Sequence, residues 1–204
     1  MTLAGEGSGR IPTPASRRDA YRENPEAFLT GQWLTGDTLN TSIGQGDVLA
    51  TPLQIVNAYS ALINGGTLYA PNLGARTLDP ISGETQVEFA PRVLKEIYLP
   101  DAFSDPILEG LADVTTWRSE IGTEGTAYNA FKEFPHEEWP VSGKTGTSEK
   151  QVENALIADY GLFVGWGPNP NPEYVAGGVL EEAGCGGQVA APVIRRYFER
   201  IALG

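Results

Sequence analysis

The segment Val141-Ser-Gly-Lys-Thr-Gly-Thr-Ser148 holds the densest set of residues able to do chemistry. Two chemistries compete for it. Gly143-Lys144-Thr145 could end a phosphate-binding loop, which would make the protein a nucleotide hydrolase. Such a loop needs a glycine five residues before Gly143, so that backbone N–H groups can curl around the phosphates. That position is Glu138, whose carboxylate repels phosphate, and Pro140 lacks an N–H donor. Leu156-Ile157-Ala158-Asp159 could mimic a magnesium-binding strand, but it follows the loop too closely. The alternative puts Lys144-Thr-Gly-Thr147 on a strand edge. There the ammonium supplies positive potential, the Thr145 and Thr147 hydroxyls can bind a carboxylate, and a backbone N–H can polarise a carbonyl lying antiparallel to the strand. Gly146 lets a ligand approach the backbone without a side chain in the way. The strand reading fits these residues and the loop reading does not.

Other reactive residues offer less. Cys185 is the only cysteine, which excludes an internal disulfide and a multi-cysteine zinc site. No basic residue flanks it in Ala183-Gly-Cys-Gly-Gly187, so that stretch reads as a flexible loop. His136 is the only histidine, and a Ser-His-Asp triad could run only through it. It sits among prolines and acids and is expected to be a solvated loop residue. Gln45, between two glycines, is expected to shape a turn. Trp33, Trp117, Trp139 and Trp166 are expected in a core or cleft wall, and Tyr128 is a candidate to line a cleft.

Lys-Thr-Gly is one of three motifs of β-lactamases and penicillin-binding proteins, beside S-x-x-K and S-D-N. Here it has company. Ser42-Ile-Gly-Gln-Gly46, Thr51-Pro-Leu-Gln54, Ala58-Tyr59 and Asn64-Gly-Gly66 precede it. Gly125-Thr-Ala-Tyr128 lies just upstream, Phe163-Val-Gly-Trp166 one strand later, and Ala190-Ala-Pro192 before the last helix. In this order the series closely resembles the class B penicillin-binding proteins over nearly the whole chain. The resemblance implies a serine DD-transpeptidase that cross-links peptidoglycan stem peptides ending in D-Ala-D-Ala and is acylated by β-lactams, with no metal or cofactor. It implies that Lys144 supports a proton network and a positive field. It also implies that the Thr145 and Thr147 hydroxyls hold the terminal carboxylate, with the Thr147 N–H as half of an oxyanion hole. A β-lactam-hydrolysing or sensing relative would share Lys144-Thr-Gly-Thr, but Gly-Gln-Gly and Thr-Pro-Leu-Gln favour the transpeptidase.

The sequence departs from the family at the nucleophile. None of the serines, at 8, 16, 42, 60, 82, 104, 119, 142 and 148, has Lys three positions on or Asn two positions on. In the family both serine motifs precede Gly-Gln-Gly, and here only about forty residues do so. The resemblance therefore implies that residues 1–204 are the C-terminal portion of a transpeptidase domain. Its N-terminal half and a membrane anchor would lie elsewhere, and the site would face the extracytoplasmic side of a bacterial membrane. A non-catalytic remnant that binds a partner is the alternative from outside the enzymes.

The elements that must carry the strand can be read from spacing. Residues 1–40 look irregular, with at most one short helix. Thr51-Pro-Leu-Gln54 opens a helix in which Leu53, Val56, Tyr59 (or Ser60), Leu62 and Ile63 recur at helical spacing, stopped by Gly65-Gly66. Short extended pieces follow from Tyr69 to Phe89, around turns at Asp79-Pro80 and Ser82-Gly83. A second helix is predicted from Asp105-Pro106, burying Ile107, Leu108, Leu111 and Val114. Trp139–Thr147, Tyr160–Trp166 and Tyr174–Glu181 read as strands. Gly161, Phe163 and Gly165 share one face of the second, which a helix should cover. The final helix is predicted from Ala191-Pro192, burying Val193, Ile194, Tyr197, Phe198 and Ile201. The fold class is α+β, with an antiparallel sheet between helices on both faces, as in the penicillin-recognising architecture. By the resemblance, the Tyr174–Glu181 strand pairs with a strand outside this chain. Its open edge would favour self-association or docking of the other half.

Composition agrees with a packed domain. Apolar residues make up 41% and charged residues 20% of the 204, enough for a core. The charge of −12 argues against nucleic acid as a partner, since phosphate binding needs a Lys/Arg surplus. No apolar run reaches the eighteen or so residues that span a bilayer.

Overall fold

The computed structural model describes Gly5, residues 7–148 and residues 158–204. The chain divides into two compact units, Gly5–Thr51 and Pro52–Gly204.

The first unit is more ordered than its sequence suggests. Helix α1 spans Pro14–Glu23, a 3-10 turn spans Pro25–Ala27, and α2 spans Thr35–Ser42. Two local devices overrule the irregular composition. Thr13 caps α1 by accepting the Ser16 amide, while Ser16 accepts the Thr13 amide in return, and Pro14 supplies the first helical φ. Asp37 accepts the Leu34 amide at 2.8 Å at the start of α2. Arg17 ties the unit together, bonding Asp37 and Asp47 at 3.3 Å each with its guanidinium over the Phe28 ring. Gln45 shapes the following turn as expected: its amide bonds the Asn40 carbonyl, between Gly44 and Gly46 at φ of 75° and 70°.

The second unit opens with α3, Pro52–Ile63, at the proline expected to start it. Two exposed ribbons follow. β1 (Thr67–Tyr69) pairs antiparallel with β4 (Val93–Glu96), and β2 (Arg76–Leu78) with β3 (Thr85–Glu88). Asp79 makes the turn between β2 and β3 by accepting the Ile81 and Ser82 amides, both at 2.8 Å. These bonds favour the carboxylate and hold its pKa below the usual aspartate value.

Helix α4 spans Asp101–Thr116, four residues earlier than predicted, with Pro106 inside it. Proline removes one intrahelical bond near the N-terminus, and the buried Leu111 and Thr115 hold the rest. Ile107, expected in the core, stays 45% exposed. Helix α5 is one turn, Tyr128–Phe131.

The sheet is β5 (Ser142–Ser148), β6 (Tyr160–Gly167) and β7 (Tyr174–Leu180), antiparallel throughout, in the order β5-β6-β7. Leu156 and Ile157 of the magnesium-binding alternative lie outside the described residues. Helix α6 spans Gly186–Ala202, starting five residues before the predicted Ala191 and running through Pro192. Val193 and Tyr197 are each half-exposed, while Ile194 and Phe198 are buried.

Helices lie on both faces, as expected. On one, Tyr59 of α3 stacks on Trp166 with centroids 5.6 Å apart. On the other, α5 and α6 enclose Phe131, Phe163, Phe198 and Val141. Gly161 allows this approach, because a Cβ there would overlap Val189 of α6. Burying each of these phenylalanines contributes about 1.5–3 kcal/mol. Trp139 joins the same cluster, 5.2 Å from the Phe198 ring.

His136 corrects the sequence reading. It is not a solvated loop residue: its ring lies 5.3 Å from Phe134 and 6.1 Å from Phe131. Burial lowers its pKa, favouring the neutral ring. The neighbouring acids pointed to solvent, but the tight Phe134–Trp139 turn folds the imidazole back onto the aromatic cluster.

Candidate active site

Strand β5 is anchored at its N-terminal end. Before it, the buried Thr115 hydroxyl of α4 donates to the Val141 carbonyl. Beside it, Asn169 Nδ2 donates to the Ser142 Oγ at 2.8 Å. Neither anchor had a sequence signal: Thr115 is a hydroxyl on an apolar helix face, and Asn169 stands in a proline-rich loop. Along the strand, Lys144 pairs with Val164, Thr145 with Phe163, Gly146 with Leu162 and Thr147 with Gly161. β5 is an edge strand, and among the described residues no strand pairs with its outer side.

Paired residues of an antiparallel sheet share a face. Thr145 and Thr147 therefore lie on the α6 face with Phe163 and Gly161. Lys144 and Gly146 lie on the α3 face with Val164 and Leu162. The four motif residues are contiguous, but the strand deals its ammonium and its hydroxyls to opposite faces. A ligand must sit along the edge to reach both. Lys144 is exposed, and its Nζ donates to the Thr145 carbonyl at 2.6 Å. Thr145 and Thr147 are half-buried.

The Thr145 hydroxyl lies 2.8 Å from the Thr126 hydroxyl. Thr126 belongs to Gly125-Thr-Ala-Tyr128, a stretch marked by its motif and not by any role. Tyr128 carries the Arg118 guanidinium over its ring at 5.8 Å, and Arg118 pairs with Glu124 at 3.3 Å. Glu124 also accepts from Asn129 Nδ2 at 2.6 Å. These contacts stiffen the loop beside β5. Cys185 is exposed and immediately precedes α6. Among the described residues no group of three or more His, Cys, Asp or Glu side chains is placed to hold a metal ion. Among them, too, no helix is long and apolar enough to cross a membrane.

This edge can present a cation, two hydroxyls and backbone N–H groups to an extended peptide with a terminal carboxylate. The chain is similar to known proteins over most of its length. Residues 18–199 match the family described as "Penicillin binding protein transpeptidase domain". The chain is 30% identical over 214 residues to the peptidoglycan D,D-transpeptidase MrdA of Salmonella typhimurium strain SL1344, covering 98% of this chain and 31% of that protein. It is 33% identical over 200 residues to stage V sporulation protein D of Bacillus subtilis strain 168, covering 95% of this chain and 26% of that protein. Pseudomonas aeruginosa PBP2, solved in complex with WCK 5153, superposes with a TM-score of 0.72 at 28% identity, over 99% of this chain and 40% of that one. The chain thus spans no more than about a third of the length of these curated relatives. The family match runs from within α1 to within α6 and does not rest on the motif strand alone, so the chain belongs to the penicillin-binding protein transpeptidase-domain family.

Proposed function

We propose that this chain forms the Lys-Thr-Gly-Thr wall of a serine DD-transpeptidase, acting as the C-terminal portion of its domain. The observation that carries the reading is the exposed edge of β5, with Lys144 on one face and Thr145 and Thr147 on the other. A stem peptide ending in D-Ala-D-Ala lies antiparallel along this edge. Thr145 and Thr147 donate hydrogen bonds to its carboxylate, and the Thr147 N–H polarises the scissile carbonyl. Gly146 keeps the approach clear. Lys144 adds positive potential and supports the proton network of the serines.

The nucleophilic serine comes from an upstream segment, which also pairs with the outer edge of β7. Serine attack forms an acyl ester and releases the terminal D-Ala, whose amine takes a proton. An amine of a second stem peptide then displaces the serine and completes the cross-link. β-Lactams acylate the same serine. The chemistry needs no metal or cofactor, and its substrate places it on the outer face of the cell membrane.

The test combines this chain with its serine-bearing segment and follows labelling by a fluorescent penicillin. The isolated chain is expected to form no stable adduct, and the combination is expected to form one. Lys144→Ala slows acylation at least about tenfold, since a charge-assisted hydrogen bond is worth about 1.5–3 kcal/mol. Unchanged acylation in that variant would withdraw Lys144 from the site.

A further inference from the structure

The pair of hydroxyls at Thr126 and Thr145 has a rigid setting on one side. The amide of Gly125 donates to the Trp117 carbonyl at 2.8 Å, and the amide of Ala127 donates to the Val114 carbonyl at 2.9 Å. The residues flanking Thr126 are thus bonded to the C-terminal end of α4. At Gly125 a Cβ would overlap the Asp113 carbonyl, and at Gly187 a Cβ would overlap the Thr126 carbonyl. The Thr126 backbone is therefore clamped between the end of α4 and the start of α6. Its side chain keeps one torsion, and its Oγ1 lies 2.8 Å from that of Thr145.

Each hydroxyl has one proton and two lone pairs. Either can be the donor in the pair, and the choice decides what Thr145 can offer a ligand. If Thr145 donates to Thr126, its proton is already used. If Thr126 donates, Thr145 accepts and its own proton points elsewhere. A carboxylate only accepts, so it selects the second arrangement. Donation into Thr145 also polarises its O–H and strengthens the outward bond. Thr126 is exposed and Thr145 half-buried, so the pair is reachable from solvent.

We propose that Thr126 is a positioning residue for carboxylate recognition, donating its hydroxyl proton to Thr145 so that Thr145 donates its own to the ligand. The proposal rests on the transpeptidase reading above, and it assigns Thr126 a role in affinity and none in the chemical step.

The test uses this chain with its serine-bearing segment and compares benzylpenicillin with its methyl ester. Binding and acylation are resolved by stopped-flow kinetics. Thr126→Val is expected to weaken initial binding of benzylpenicillin roughly three- to tenfold, with the acylation step and the ester unaffected. Thr126→Ser restores binding, because it keeps the hydroxyl. Adding Thr126→Val to Thr145→Val causes no further loss. Equal loss for acid and ester would assign Thr126 a merely structural role and overturn the proposal, as would no loss at all. If Thr145→Val leaves benzylpenicillin binding intact, the carboxylate assignment and this proposal both fall. If the wild-type combination is not acylated, the transpeptidase reading falls. In that case the isolated chain is titrated with N-acetyl-D-Ala-D-Ala and its carboxamide, following the Thr145 methyl resonance. A carboxylate-dependent shift weakened by Thr126→Val supports the Thr126 role, and its absence in the wild type ends it.

Discussion

The second unit contains two kinds of antiparallel structure, and they are held in different ways. The ribbons β1–β4 and β2–β3 expose nearly every strand residue, including Leu78, Val87, Val93 and Leu94 at about half their surface. Backbone pairing and the Asp79 turn define β2–β3, while Asn57 and Asn64 also tie β1 to α3 and the turn after it. The β5–β6–β7 sheet hides most of β6 between α3 and α6, with Phe163 at 1% and Trp166 at 2% exposed. The candidate site lies at the edge of the second kind. The peptide-holding role proposed for that edge requires a backing that does not yield. Packed aromatics supply it, and a solvated ribbon does not.

This contrast can be broken by mutation. Phe198 is fully buried on the α6 face, in contact with Trp139. Phe198→Ala is expected to cost about 3–5 kcal/mol, through lost transfer energy and the cavity left behind. Urea denaturation measures it, and a loss under about 1 kcal/mol would remove the packed core as the anchor of the sheet.

A pH titration sharpens the contrast. His136 has a folded pKa depressed by burial, so the unfolded chain takes up the proton first. Its contribution is present above the unfolded pKa of about 6.5 and is lost as pH falls through the folded value. Asp79 has a folded pKa depressed by the Ser82 and Ile81 amides. Its contribution is present above about 4 and is lost as pH falls further, to the lowered value. Amide exchange should therefore show the aromatic cluster loosening in mildly acid solution, with the β2–β3 turn intact until the acid is stronger. His136→Gln should remove the first phase alone. Simultaneous loosening of both regions would mean that they unfold as one unit.

The smallest effect belongs to the ribbon surface. Val87→Ser, on exposed β3, is expected to change stability by no more than about 0.5 kcal/mol. A loss several times larger in the same denaturation would show that the ribbon shares in the core.

Where the physics is local, the residues themselves announce the structure. The proline and paired glycines bounding α3, the turn at Asp79 and the glycine face of β6 were all legible, because each depends on the residue and its close neighbours. Local signals mislead where distant packing overrules them. Proline favours a helix start, which predicts starts at Pro106 and Pro192, yet both lie inside helices that burial elsewhere sustains. Residues 1–40 looked irregular because the caps at Thr13 and Leu34 carry little hydrophobic periodicity.

The same division holds at the site. The sequence alone determined that Lys144, Thr145, Gly146 and Thr147 lie on a strand, and that the surrounding motifs stand in a family's order. Alternation along an extended chain then sends Lys144 and Thr145 to opposite faces, a consequence of covalent geometry. Only the tertiary structure decided that Thr115 fixes the entry of β5 and that His136 folds inward. It alone placed Thr126 at hydrogen-bond distance from Thr145, across nineteen residues of sequence. Strand periodicity is set residue by residue, whereas these contacts depend on where α4 and α6 come to rest against the sheet.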